Sequence, residues 1–180
     1  MQFSRILALV AAVCVAAGTL AAQSANPTPP KSKGKKEDAA IRAMYAAQTP
    51  DEQIAKAKEF IEKFAESEFR GSAFYVMAAA SDAKRDLDNV VVYGEQAIAA
   101  DPMNFGSMAL MAKAIGQSTK KYDLDKADKV SRATKLANDA LELSKKAPKP
   151  NTSLTDEQWT STVHDIVEPA ALENATEHSL

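Results

Sequence analysis

The segment Asp86–Pro102, DLDNVVVYGEQAIAADP, carries the marks of a helix at both ends. Asp86 can accept a hydrogen bond from first-turn amides, and Pro102 stops propagation after Ala100 and Asp101. Between them Leu87, Val90, Val91, Gly94, Ala97 and Ile98 recur at spacings of three and four, which is one helical face. Gly94 and Ala97 are very small, so another helix can approach closely there. Such a helix cannot bury its stripe alone and needs neighbours before and after it. The segment therefore points to stacked helices and to a binding class of function.

Helical signals extend in both directions from this segment. Glu37 to Ala47 carries Ile41, Met44 and Tyr45 on one side. Thr49-Pro50-Asp51-Glu52 is a helix start, with Thr49 and Glu52 forming a capping box around a proline at the first helical position. Ile54, Ala57, Phe60, Ile61 and Phe64 follow as its apolar stripe. The next helix, Phe69 to Ala83, has Phe74, Met77, Ala78 and Ser81 as its seam. Beyond Pro102, Asn104 caps a helix carrying Met108, Met111, Ala112 and Ile115. The pattern loosens through STKKYDLDK after Gln117. It resumes in a long helix with Val130, Ala133, Leu136, Ala137, Ala140, Leu141 and Leu143, ending before Pro148. After a proline-rich loop, Thr155 and Gln158 form a second capping box, with Trp159, Val163 and Ile166 inward and Pro169 as a breaker. No run of alternating β-branched residues bounded by turns occurs, so the expected class is all-α.

Phe74, Met77, Ala78, Val90, Ala97 and Pro102 fall at positions 4, 7, 8, 20, 27 and 32 of a 34-residue unit running from Gly71 to Asn104. This arrangement resembles the tetratricopeptide repeat (TPR). Met108, Met111, Ala112 and Ile115 look like the first-helix positions of a following unit. Ala133, Ala140 and Leu141 look like its second-helix positions, displaced by an insertion of about nine residues around 119–127. Residues 51–66 look like the second helix of a preceding unit. The unit departs from the family pattern at three places: Ala78 stands for the usual glycine, Ser81 for a tyrosine and Gly94 for an aromatic. A closely related helical-hairpin repeat is the alternative.

The resemblance implies an α-solenoid of stacked antiparallel helix hairpins, a TPR-like right-handed superhelix whose first helices line a groove for a partner protein or peptide. Carried onto this chain, the groove-facing positions are Ser72, Tyr75, Ala79, Asp82, Met103, Asn104, Ala109 and Lys113. Val76 and Leu110 stand where the chaperone-binding subclass would place clamp residues, so a C-terminal carboxylate is not the expected ligand. The repeats are expected over 37–147, followed by a loop, a terminal helix and a frayed tail over 148–180. The Thr155 helix has no second half to cover it. Self-association through that end, or marginal stability of residues 155–180, is the expectation.

The N-terminus is of a different kind. Arg5 is followed by an uncharged apolar run, Ile6 to Ala22, with small residues after it, which is the pattern of a secretory signal peptide over residues 1–24. Cleavage is expected near residues 21–25, giving a periplasmic or secreted protein. A retained anchor is the competing reading, but Gly18, Thr19 and many alanines make the run marginal for about 30 Å of hydrocarbon. The single cysteine, Cys14, lies inside this run. A cleaved chain therefore has no disulfide, thiolate metal site or cysteine nucleophile.

The 180-residue chain holds 22 basic and 24 acidic residues, and losing Arg5 leaves 21 against 24. That mild acidity argues against nucleic acid, which needs a basic patch to displace counterions. Residues 25–36, ANPTPPKSKGKK, read as a Pro/Lys-rich linker with nothing to bury. Its Lys31, Lys33, Lys35 and Lys36 give a possible weak contact with an anionic surface.

Chemistry-bearing patterns are sparse. His164 and His178 are the two histidines, and neither has a second ligand at metal spacing. Asp123, Asp125 and Asp128 invite a calcium reading, but the loop lacks the sixth-position glycine and the twelfth-position glutamate. No phosphate-binding glycine loop or nucleophile elbow is present. Glu59, Glu62 and Glu66 sit beside lysines on a solvated face. Methionines 44, 77, 108 and 111 read as core filler. The expected protein has no catalytic residue, cofactor or metal, and is a protein–protein interaction scaffold of the cell envelope. The alternatives are an envelope-assembly or tethering component and an accessory subunit of an enzyme complex.

Overall fold

A computed structural model describes residues 30–147 and Glu157. The described chain forms six α-helices and no strand: α1 (Lys35–Ala46), α2 (Pro50–Lys63), α3 (Arg70–Ala83), α4 (Leu87–Ala100), α5 (Phe105–Ser118) and α6 (Lys126–Ser144). The N-terminal run and the Thr155 helix, with Trp159, Val163, Ile166, His164 and His178, lie outside the described residues.

Three of the helices, α2, α4 and α5, begin at a side-chain cap. Thr49 Oγ1 accepts the Glu52 amide at 3.2 Å while Glu52 reaches back to the Thr49 amide at 3.3 Å, completing the capping box of α2. Asp86 accepts the Asn89 amide at 3.3 Å and opens α4. Asn104 accepts the Ser107 amide at 3.0 Å and opens α5. The first helix starts at Lys35, two residues earlier than the sequence reading, with Gly34 as its N-cap at φ 153°. That conformation is open to glycine and strained for other residues.

The α3–α4 turn closes without a glycine. Arg85 takes a left-handed conformation at φ 59°. The Asp86 amide then donates to the Ser81 carbonyl and the Arg85 amide to the Asp82 carbonyl, both at 2.9 Å. This pair of bonds is the Schellman motif, which satisfies carbonyls left open at a helix end.

Every helix packs on its neighbours in sequence. Beyond these, α1 touches α3 and α3 touches α5, whereas α2, α4 and α6 do not touch one another. Eleven of the nineteen buried hydrophobic residues are alanine, so the helices meet at short range and each contributes a thin layer of core. Met44, Ala57, Phe60, Ala73, Val76 and Met77 form one cluster, flanked by Phe74 and Tyr93. Met108, Ala109, Ala112, Ala137 and Ala140 form the other, between α5 and α6. All four methionines read as filler are buried in these layers or beside them.

The small residues of α4 are divided between two neighbours. A Cβ on Gly94 would lie 2.4 Å from Met111 Cγ, so this glycine receives α5. Phe74 and Met77 belong to the cluster that joins α3 to α1 and α2, and Tyr93 of α4 packs against the same cluster. Gly71 marks the other close approach, where its missing Cβ leaves room for Asp101 Cβ and the Ala97 carbonyl.

Candidate functional site

The helices α1, α3 and α5 share one side of the molecule, since they alone touch across a hairpin. Ser72, Tyr75, Ala79 and Asp82 recur on α3 at spacings of three and four and are all half-buried, so they form one partly open face. Tyr75 lies across to α5, with its ring where a Cβ on Gly106 would come within 2.8 Å. Glycine at 106 is what lets the aromatic ring lie flat on the start of α5.

Tyr45 of α1 joins the same face. It was expected on the buried side with Ile41 and Met44, yet it is 55% exposed while Met44 is fully buried. One residue of helix advance turns the side chain by about 100°, which is enough to carry it off the core stripe. Desolvation raises the Tyr45 phenol pKa, opposed by a hydrogen bond with Ser72. Burial likewise raises Tyr75, and the neighbouring Tyr45 adds to the shift. Two protonated phenols and the Ser72 hydroxyl thus supply donors and acceptors beside aromatic surface. That combination suits backbone and side-chain amides of a polypeptide.

Asp82 and Lys113 are brought together across α3 and α5, with N–O distances of 2.9 and 3.1 Å. Their side chains are 21% and 28% exposed. Each charge neutralises the other, so this part of the face presents little net charge to a partner. Besides capping α5, Asn104 donates from Nδ2 to the Gly71 carbonyl at 3.3 Å, linking the start of α5 to the start of α3. Met103 stands at the α4–α5 connection, 36% exposed. Ala109 has to be withdrawn from the site. It is 1% exposed and belongs to the α5–α6 core, where Met108, Ala112, Ala137 and Ala140 enclose it.

The lysine-rich segment is partly folded onto the domain. The Lys31 amide donates to Glu68 at 3.0 Å, and Lys33 Nζ donates to the Glu66 carbonyl at 2.6 Å. Glu37 is 3% exposed and accepts from the Ser67 hydroxyl and the Lys33 amide. Those hydrogen bonds, Ser67 first, hold its carboxyl below the usual glutamate range. An open cleft of about 630 Å³ lies between residues 33–37 and 63–67, with the exposed Lys35 and Lys36 on its wall. The first turn of α1 already has its own anion, Glu37, at the position an external anion would take.

Of the aspartates that invite a calcium reading, Asp123 and Asp125 both bind Lys129, each at 3.0 Å. An ammonium occupies the place of a cation. Among the described residues, no three His, Cys, Asp or Glu side chains gather as a metal site would require. Nor is any described helix long and apolar enough to cross a membrane. Comparison with protein-family models, curated proteins and solved structures finds no match to the chain.

Proposed function

We propose that the protein is a non-catalytic scaffold of TPR-like stacked hairpins, exported to the cell envelope, that binds a partner protein or peptide. The partner would lie along the side formed by α1, α3 and α5. The observation that supports this reading is the contact pattern. First helices touch first helices, second helices stay apart, and no described helix reaches beyond its second neighbour. A stack with one crowded side curves toward that side, and the crowded side becomes the concave one. The exposed Tyr45, the half-buried Tyr75 and the Ser72 hydroxyl then provide anchors of the type that carry binding energy at protein interfaces.

A photo-crosslinking amino acid placed at Ala79, on the proposed inner side, tests this in the native host. A second copy of the experiment places it at Gln96, exposed on α4. Capture of a discrete protein from position 79 and none from 96 is expected. Capture from 96 alone would put the partner on the outer side and overturn the groove assignment.

A further inference from the structure

The connection between α5 and α6, residues 119–125, is tied down on its inner side and apolar at its tip. Asp123 accepts the Lys120 amide at 3.1 Å and the Lys129 ammonium at 3.0 Å. Its own amide donates to the Lys120 carbonyl at 3.2 Å, and its carbonyl accepts the Lys126 amide at 3.2 Å. Thr119 Oγ1 donates to the Ile115 carbonyl at 2.6 Å. With Asp123 and Thr119 engaged inward, the loop leaves Tyr122 87% exposed and Leu124 106% exposed. These are the two most exposed large hydrophobic residues among those described, and they stand two residues apart on one turn.

Charge around the tip is separated. Asp123 and Asp125 share the single ammonium of Lys129, which leaves that cluster one negative charge against the two positive charges of Lys120 and Lys121. Lys120 and Lys121 are exposed and neither ammonium forms an ion pair among the described residues, although the Lys120 charge helps to hold the Asp123 carboxyl low. The Lys121 ammonium instead lies 5.9 Å from the Tyr122 ring centroid, which holds a cation at the level of the aromatic ring.

We propose that this tip docks on an anionic lipid surface. Leu124 and Tyr122 enter the boundary between headgroups and acyl chains, and Lys120 and Lys121 meet the phosphates. A loop tip with two protruding apolar side chains needs a partner that yields to it. A bilayer does so without shape complementarity, whereas a protein would need a matching pocket. Tyrosine favours the headgroup level, leucine the acyl side, and lysine extends its charge back toward the phosphates. The pinned loop loses little freedom on insertion, since its backbone is already fixed.

The test uses the full chain with Leu124→Trp on a Trp159→Phe background, because Trp159 is the single natural tryptophan. Vesicles of equal parts phosphatidylglycerol and phosphatidylcholine carry brominated acyl chains that quench a nearby indole. Because the reporter sits on the tip, binding through the Ile6–Ala22 run registers only if the tip itself enters lipid. Strong quenching is expected with these vesicles and weak quenching with phosphatidylcholine alone. Adding Lys120→Ser and Lys121→Ser should lower the apparent vesicle affinity about fivefold for each lysine. Lys120, Lys121 and Leu124 are all exposed, so circular dichroism should stay unchanged from the Trp159→Phe parent. Absence of quenching by anionic vesicles overturns the proposal. So does equal quenching by both vesicle types, or a photo-crosslinker at Tyr122 that captures a protein while the indole stays unquenched.

Discussion

At the scale of single residues, the close approaches are set by what a glycine leaves out. At Gly71 a new Cβ would meet Asp101 Cβ at 2.6 Å and backbone atoms at 3.4 Å, none of which can swing aside. At Gly94 the obstacle is Met111, at 2.4 and 2.6 Å from Cγ and Sδ, and a methionine has three torsions with which to yield. Gly→Ala in a helix also gains about 1 kcal/mol of propensity. Gly71→Ala should therefore lower stability by about 1–2 kcal/mol net of that gain. Gly94→Ala should lie within about 1 kcal/mol of the parent. Urea titrations of the two variants give the comparison, and a smaller loss at 71 than at 94 would contradict the geometry. The Asp82–Lys113 pair argues similarly from position. The resemblance implies groove-facing positions for these two residues, but their bridge spans α3 and α5 and is mostly covered. A double-mutant cycle of Asp82→Ala and Lys113→Ala should return a coupling of about 0.5–1 kcal/mol. A coupling of zero would leave both residues to partner recognition.

At the scale of elements, helix ends were the most legible feature of the chain, and helix faces less so. Thr49, Asp86 and Asn104 announce α2, α4 and α5 because side-chain capping is local chemistry, readable from a few adjacent residues. The end of α3 could not be read in the same way. Its left-handed residue is an arginine, and without glycine or asparagine the sequence carries no sign of a Schellman turn. Arg85 also identifies a stabilising change. A left-handed non-glycine residue costs about 1–2 kcal/mol, while glycine adds about 0.5–1 kcal/mol of unfolded-state entropy. Arg85→Gly should raise stability by up to about 1 kcal/mol, seen as a higher urea midpoint with an unchanged slope. A lower midpoint would mean that the arginine side chain contributes more than its backbone costs. Faces are harder to read because a neighbour far along the chain settles them. Tyr45 leaves the core stripe and Ala109 enters it according to which helix lies opposite, and the spacing of apolar residues is compatible with both outcomes.

At the scale of the molecule, the all-α class and the helices α3 and α4 were legible because hydrophobic period and caps agree over many residues. The tip at Tyr122 and Leu124 was not, since exposure is a property of everything that fails to pack on a loop. How the helices cooperate follows from which of them touch. Among the described helices contacts reach only to the second neighbour, so α1 rests on α2 and α3 and on no other of them. Its anchors are the fully buried Met44 and the Glu37 carboxylate, held by Ser67 and the Lys33 amide. Because these bonds depress the Glu37 pKa, the folded state favours the ionised form. That contribution is complete above the ordinary glutamate range and is lost as pH falls through the lower, folded value. Asp86 and Asp123, also depressed by hydrogen bonds, lose contributions in the acid range too, so a Glu37→Gln variant is the control that isolates α1. Amide hydrogen exchange followed by mass spectrometry on acidification should show α1 opening first, with α4 and α5 still protected after correction for the intrinsic exchange rate. In Glu37→Gln, α1 should already be less protected at neutral pH, and its protection should no longer carry the Glu37 titration. This graded loss is what nearest-neighbour stacking demands, since removing an end unit deprives only the adjacent interface. Simultaneous loss of protection from α1 to α6 at one pH would instead describe a single cooperative bundle, and the stacked-hairpin reading of the molecule would fall with it.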